Sequence, residues 1–145
     1  MTIEFTITTQ QSREDAFSFW VDKDKLKKWL ISDVDKSSIQ PRKKGKYWLY
    51  INDTHNTNEC TIQTIYPNQD IEFTWKGPKE FEDFLNYRGE LTIVKVNFEK
   101  IDDKTKISLQ HYGWRSSEDY QNARKWHISF WENKLEKLSH VLEKK

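Results

Sequence analysis

The chain has 145 residues, with 24 lysines and arginines against 23 aspartates and glutamates, and 35% hydrophobic residues against 32% charged ones. This length suits one domain with its own core, 1–145, and a formal net charge of +1 supplies no field for a nucleic-acid or membrane partner. Low hydrophobicity would favour disorder, but 7 tryptophans, 8 phenylalanines and 6 tyrosines argue the other way, because each buried ring removes about 150–250 Å² from water.

The start alternates. Ile3, Phe5 and Ile7 face one way and Glu4, Thr6 and Thr8 the other, the period of a half-buried strand. Such a start, with an early acid, is not a signal peptide. Ser12 followed by Asp15 forms a capping-box pattern before a short helix carrying Ala16, Phe17 and Trp20. Val21–Asp24 interrupts it, and Leu26, Trp29 and Leu30 mark a second short helix. A weak strand follows around Ser38 to Pro41, then the basic run Arg42-Lys43-Lys44-Gly45-Lys46, read as a solvated loop. Tyr47–Ile51 and Cys60–Tyr66 read as strands of a hairpin across the turn-rich Asn52-Asp53-Thr54-His55-Asn56.

After the turn Pro67–Asp70, Ile71, Phe73 and Trp75 alternate with Glu72 and Thr74. The segment from Lys76 to Gly89, with Phe81, Phe84 and Tyr87, reads as a long loop that serves as a lid or as a partner-binding patch. Glu90–Ile101 and Thr105–Tyr112 form a second hairpin, with Ile107, Leu109 and His111 on one face. From Ser116 to Lys145 the period is helical: Tyr120, His127, Trp131, Leu135, Leu138 and Leu142 fall on one stripe, flanked by Ala123, Phe130 and Val141. Arg124, His127 and Lys134 lie inside the apolar arc. The expected fold is α+β: a curved antiparallel sheet wrapped around a long C-terminal helix, with two short helices after the first strand.

The run Ala16-Phe17 through Trp20, then Asp22, Leu26, Lys28, Trp29 and Leu30, resembles the opening signature of the heat-shock-protein-90 ATPase activator-like family, within the START-like (helix-grip, SRPBCC) superfamily. Gly45 with Tyr47, Ile71–Trp75, Leu109-Gln110-His111-Tyr112-Gly113-Trp114, and the spacing of Trp131, Leu135, Leu138 and Leu142 continue the resemblance in order. Phe130 stands where the family often has glycine, a ring that narrows the space beneath the helix. The resemblance implies the helix-grip fold, a cavity between sheet and last helix, and a chaperone as partner in a stress response. It also keeps open a cyclase- or hydrolase-like enzyme using that cavity.

The residues themselves point to no catalytic chemistry. The histidines His55, His111, His127 and His140 and the lone Cys60 lack metal-ligand spacing. Cys60 has no evident base, and there is no nucleophile elbow or glycine-rich phosphate loop among 4 glycines. No catalytic group, metal or cofactor is therefore assigned. One cysteine excludes an internal disulfide and suits a reducing compartment, the cytoplasm. The expected activity is binding of an apolar or aromatic small molecule by Phe73, Trp75, His111, Trp114, Trp126, His127, Phe130 and Lys134.

Overall fold

A computed structural model describes residues 1–87 and 89–144. Arg88, in the expected loop, and Lys145, at the expected helix end, lie outside the described residues. In chain order the elements are β1 (Ile3–Thr9), α1 (Arg13–Val21), α2 (Lys23–Leu26), β2 (Ser38–Ile39), β3 (Tyr47–Trp48), β4 (Tyr50–Asn52), β5 (His55–Asn56), β6 (Ile62–Tyr66), β7 (Asp70–Trp75), α3 (Glu82–Leu85), β8 (Thr92–Ile101), β9 (Lys104–Tyr112) and α4 (Glu118–Glu143).

The main sheet is antiparallel, with strand order β1-β9-β8-β7-β6. Its register sets Ile3, His111, Val94 and Phe73 in one row across four strands. The next row toward the rim pairs Trp75 with Thr92. Because side chains alternate along each strand, these residues share the face that packs on α4. That face meets the helix stripe Tyr120, Ala123, His127, Trp131, Leu135, Leu138 and Leu142, all buried. The architecture is the expected α+β helix grip, and the helix begins at a Ser117 cap whose hydroxyl accepts from the Tyr120 N–H.

The two short helices close one side of the core. The Ser12 side chain caps α1 by accepting from the Asp15 N–H. Trp20 and Trp29 meet edge to face at 4.6 Å, Trp20 also approaches Trp131 at 6.4 Å, and the Trp29 indole N–H donates to the Phe19 carbonyl.

Two expectations change in detail. The second short helix starts earlier than its apolar residues indicate, at Lys23, because the Asp22 side chain caps it by accepting from the Asp24 N–H. Trp29 and Leu30 follow its end, in the turn that wraps onto the Leu26 carbonyl. The turn-rich segment 52–56 is itself part of a small hairpin, β4 with β5, rather than a loop between long strands. Pairing between the expected strands survives where they start: the Tyr47 N–H donates to the Cys60 carbonyl at 3.0 Å, and the Ile62 N–H to the Gly45 carbonyl at 2.9 Å, around a Lys46–Thr61 bridge. The weak strand near Ser38 pairs with β3.

Candidate functional site

Three histidines from three separate elements meet where the rim of the sheet faces α4. His111 comes from the end of β9, His127 from the second turn of α4's buried stripe, and His55 from β5. The ring centroids of His111 and His127 are 5.2 Å apart and those of His55 and His127 6.4 Å apart. All three are almost fully buried. Tryptophans fill the intervals: Trp75 lies 5.0 Å from Trp131, and Trp114 sits 4.7 Å from His111 and 5.1 Å from His127.

The hydrogen bonds determine the proton positions. His127 Nδ1 lies 2.8 Å from the Ala123 carbonyl, which only accepts, so this nitrogen carries the proton. Its Nε2 then accepts from the Trp75 indole N–H at 3.1 Å. His111 Nδ1 accepts from the Trp131 indole N–H at 3.0 Å, and its Nε2–H donates to Thr92 Oγ1 at 2.8 Å. His55 Nε2–H donates to the Lys76 carbonyl at 2.8 Å. These bonds make His111 and His127 neutral rings and tie β7, β9 and α4 together through their edges.

Burial enforces that neutrality. It pushes His55 down to about 4; the hydrogen bond to the Lys76 carbonyl acts the other way, and the Lys134 ammonium adds a smaller downward push. Burial pushes His127 down to about 3, with His55 adding to the effect, and holds His111 well below the ordinary imidazole range, with His127 and His55 adding. Neutral rings with both nitrogens engaged, as in His111 and His127, are poor bases and poor metal ligands. Among the described residues no three His, Cys, Asp or Glu side chains come together to hold a metal ion.

His55 is different. Its Nδ1 is buried and has no hydrogen-bond partner among the described residues. The ring sits in a box of Trp75 (5.4 Å), Trp126 (5.6 Å), Phe130 (5.4 Å) and His127. Asn52, Asp53, Thr54 and Asn56 around it are exposed, so this hairpin tip inserts one imidazole into the interior.

The segment after β7 covers this end of the interior. Leu85 of α3 is fully buried against Trp114, Tyr120 and Ala123. Phe84 packs on Tyr120 at 5.1 Å, and the Tyr120 hydroxyl donates to the Phe84 carbonyl. Asn86 clasps the two ends: its Oδ1 accepts from the Gly77 N–H at 2.8 Å and its Nδ2 donates to the Gly77 carbonyl at 2.9 Å. Gly77 is tight against the site, since a Cβ there would lie 2.5 Å from Leu85 Cδ2 and 3.1 Å from His127 Cε1. Outside it lies a cleft of about 400 Å³ between the hairpin tip (Asp53, Thr54, Asn56) and the cap (Lys76, Gly77, Lys79, Glu82, Asn86, Tyr87). The Lys79 N–H donates to the Thr54 carbonyl across its edge.

Of the residues expected to line a cavity, Phe73, Trp75, His111 and His127 are fully buried and Trp114 nearly so. Trp126, Phe130 and Lys134 are half-buried, with Trp126 stacked on Phe130 at 5.1 Å and the Lys134 ammonium 5.7 Å from the Phe130 ring. The structure brings all eight to the sheet–helix interior or its edge, where the seven rings pack on one another. Arg124 instead donates to the Met1 carbonyl at the surface. Sequence reasoning missed His55, which stands in a stretch of turn-forming residues with no periodic signal.

The family model described as "Activator of Hsp90 ATPase homolog 1-like protein" matches residues 10–143. Among solved structures, protein MLL2253 from Mesorhizobium loti superposes with a TM-score of 0.78 at 16% identity, covering 98% of this chain and 96% of that one. The Aha1 dimer from Colwellia psychrerythraea gives 0.77 at 18%, covering 99% and 96%. PFC0360w, an HSP90 activator from Plasmodium falciparum, gives 0.72 at 19%, covering 98% and 96%. At these identities the likeness is one of fold. No curated protein matches the chain in sequence.

Proposed function

The chain belongs to the activator of Hsp90 ATPase homolog 1-like family, and from that premise we propose that it binds a small apolar or aromatic molecule between the sheet and α4. The observation that carries this is the composition of the interior end of the grip. A purely structural core would be served by aliphatic side chains, whereas this one holds three neutral histidines among tryptophans, with one ring nitrogen unpartnered. Small-molecule sites are built in this way, from mostly apolar walls with a few placed polar groups. The contacts assigned are Phe73, Trp75, His111, Trp114, Trp126, His127, Phe130 and Lys134, to which His55 is added.

The reading needs no catalytic step. His111 and His127 have both ring nitrogens occupied, and Cys60 is buried with its thiol pushed up to about 12. No helix among the described residues is long and apolar enough to cross a membrane. A cytoplasmic setting, where Cys60 stays reduced, belongs to the same proposal.

The test is a titration of the folded protein with phenol and toluene, followed by the indole N–H NMR signals of Trp75 and Trp131. Saturable shifts of both signals are expected. Signals that stay unmoved at millimolar probe, in a protein that remains folded, refute the proposal.

A second reading, a chaperone-linked interaction module in a stress response, is favoured by the family model and by the likeness to the Plasmodium falciparum activator. It predicts a change in chaperone ATP turnover on addition of this protein. No change at high concentration removes it.

A further inference from the structure

The box of rings at the end of the grip already has an occupant, and it belongs to the chain. His55 is delivered from a two-strand hairpin whose other tip residues face solvent. One hydrogen bond, Nε2–H to the Lys76 carbonyl, holds its ring, and Nδ1 has no partner among the described residues. A buried acceptor without a donor is costly, and exposure to water removes the cost. When its tip swings out, His55 gives up its ring contacts and that one hydrogen bond, and the relief of Nδ1 offsets part of the loss. The cleft of about 400 Å³ lies on the path: its walls are the neighbours of His55, namely Thr54 and Asn56, and the cap residues Gly77 and Asn86. Gly77 presents bare backbone against His127, so cleft and ring box are separated by one residue's thickness.

Resting on the small-molecule reading above, we propose that His55 is an internal plug, and that the ligand is a neutral planar aromatic bearing one N–H or O–H donor, which enters from this cleft and takes its place. The chemistry follows from what His55 leaves behind. Trp75, Trp126, Phe130 and His127 form flat apolar walls that suit a single ring. The Lys76 carbonyl, freed of its imidazole partner, needs a donor and repels an anion. The Lys134 ammonium, whose charge bears on this position, disfavours a cation.

The test compares the wild-type protein with His55→Gly, which empties the box, and His55→Phe, which fills it with a ring that cannot leave for a hydrogen-bonding reason. Phenol, imidazole and toluene are titrated against each and followed by NMR. Because a plugged state lowers apparent affinity by the fraction of time the site is open, His55→Gly is expected to bind phenol at least about tenfold tighter than wild type, and His55→Phe at least about tenfold weaker. In His55→Gly, phenol and imidazole are expected to outbind toluene. Equal phenol affinity in all three proteins overturns the plug while leaving the small-molecule reading standing. Toluene binding as tightly as phenol in His55→Gly overturns the assigned ligand class. Absence of binding by every probe to every protein defeats the small-molecule reading itself. Should His55→Gly fail to fold, the wild-type and His55→Phe comparison decides alone.

Discussion

Acidification should unfold this protein through its histidines, and the size of the effect can be worked out. His55, His111 and His127 are neutral in the folded state, with His55 pushed to about 4 and His127 to about 3, and His111 held well below its ordinary value. The charges that bear on the three rings are their own and that of Lys134, all opposing protonation. Each folded value lies below the unfolded one of about 6.5, so between them the unfolded chain binds more protons. Stability from these groups is thus fully present above about pH 6.5 and lost as pH falls toward the folded values. At pH 5.5 each ring costs about 1.4 kcal/mol, and the three together about 4 kcal/mol relative to pH 7.5. By pH 5 the sum reaches about 6 kcal/mol, a large share of a typical domain's 5–15 kcal/mol. Ordinary carboxylates are already ionised across this window and contribute little. The assay is urea denaturation at half-unit steps from pH 7.5 to 5, with His55→Phe as the control. That variant keeps a ring in the box and removes one titrating group, so the loss should shrink by about a third. A loss under about 1 kcal/mol between pH 7.5 and 5.5, or the same loss in His55→Phe, would refute the assignment of neutral buried rings.

Other perturbations probe separate parts of the account. Asn86→Ala removes both clasp bonds to Gly77 without touching the ring box. It should cost about 1–3 kcal/mol in urea melts and raise amide exchange across residues 77–87; an unchanged exchange pattern contradicts the clasp. Cys60, fully buried with its thiol pushed up to about 12, should react with a disulfide reagent at pH 8 at least about a thousandfold slower than a free thiol. Labelling within mixing time would place it at the surface. Gly45→Ala would set a Cβ 2.1 Å from the Gln40 carbonyl oxygen and 2.8 Å from that of Arg42. A loss on the order of 3 kcal/mol is expected in thermal or urea melts, and a neutral result would mean that the 40–45 turn is looser than described.

Much of this architecture is legible in the residues because its periods run unbroken. Ile3, Phe5 and Ile7, the alternation of Ile71, Phe73 and Trp75, and the stripe from Tyr120 to Leu142 each sit on one face, and each of those faces is turned inward. His111 and His127 stand out in sequence as polar residues on apolar faces, and the structure brings their rings together. Their partners are less accessible to such reasoning. Trp75 is 52 residues from His127 along the chain, and only the strand register and the helix phase together make that bond. His55 could not be found at all. Its neighbours form a turn by their own preferences, and its burial depends on a box assembled from β7 and α4. The early start of α2 was hidden for a similar reason, since its first turn is fixed by the Asp22 cap rather than by an apolar stripe.

The most direct test of the central claim is an isotope-filtered NOE experiment on the labelled protein with saturating unlabelled phenol. Contacts from phenol to the ring protons of Trp75, Trp126 and Phe130, with loss of the His55 contacts to the same rings, are the predicted result. Contacts confined to exposed side chains such as Tyr66, with His55 still seated between Trp75 and Phe130, would contradict it.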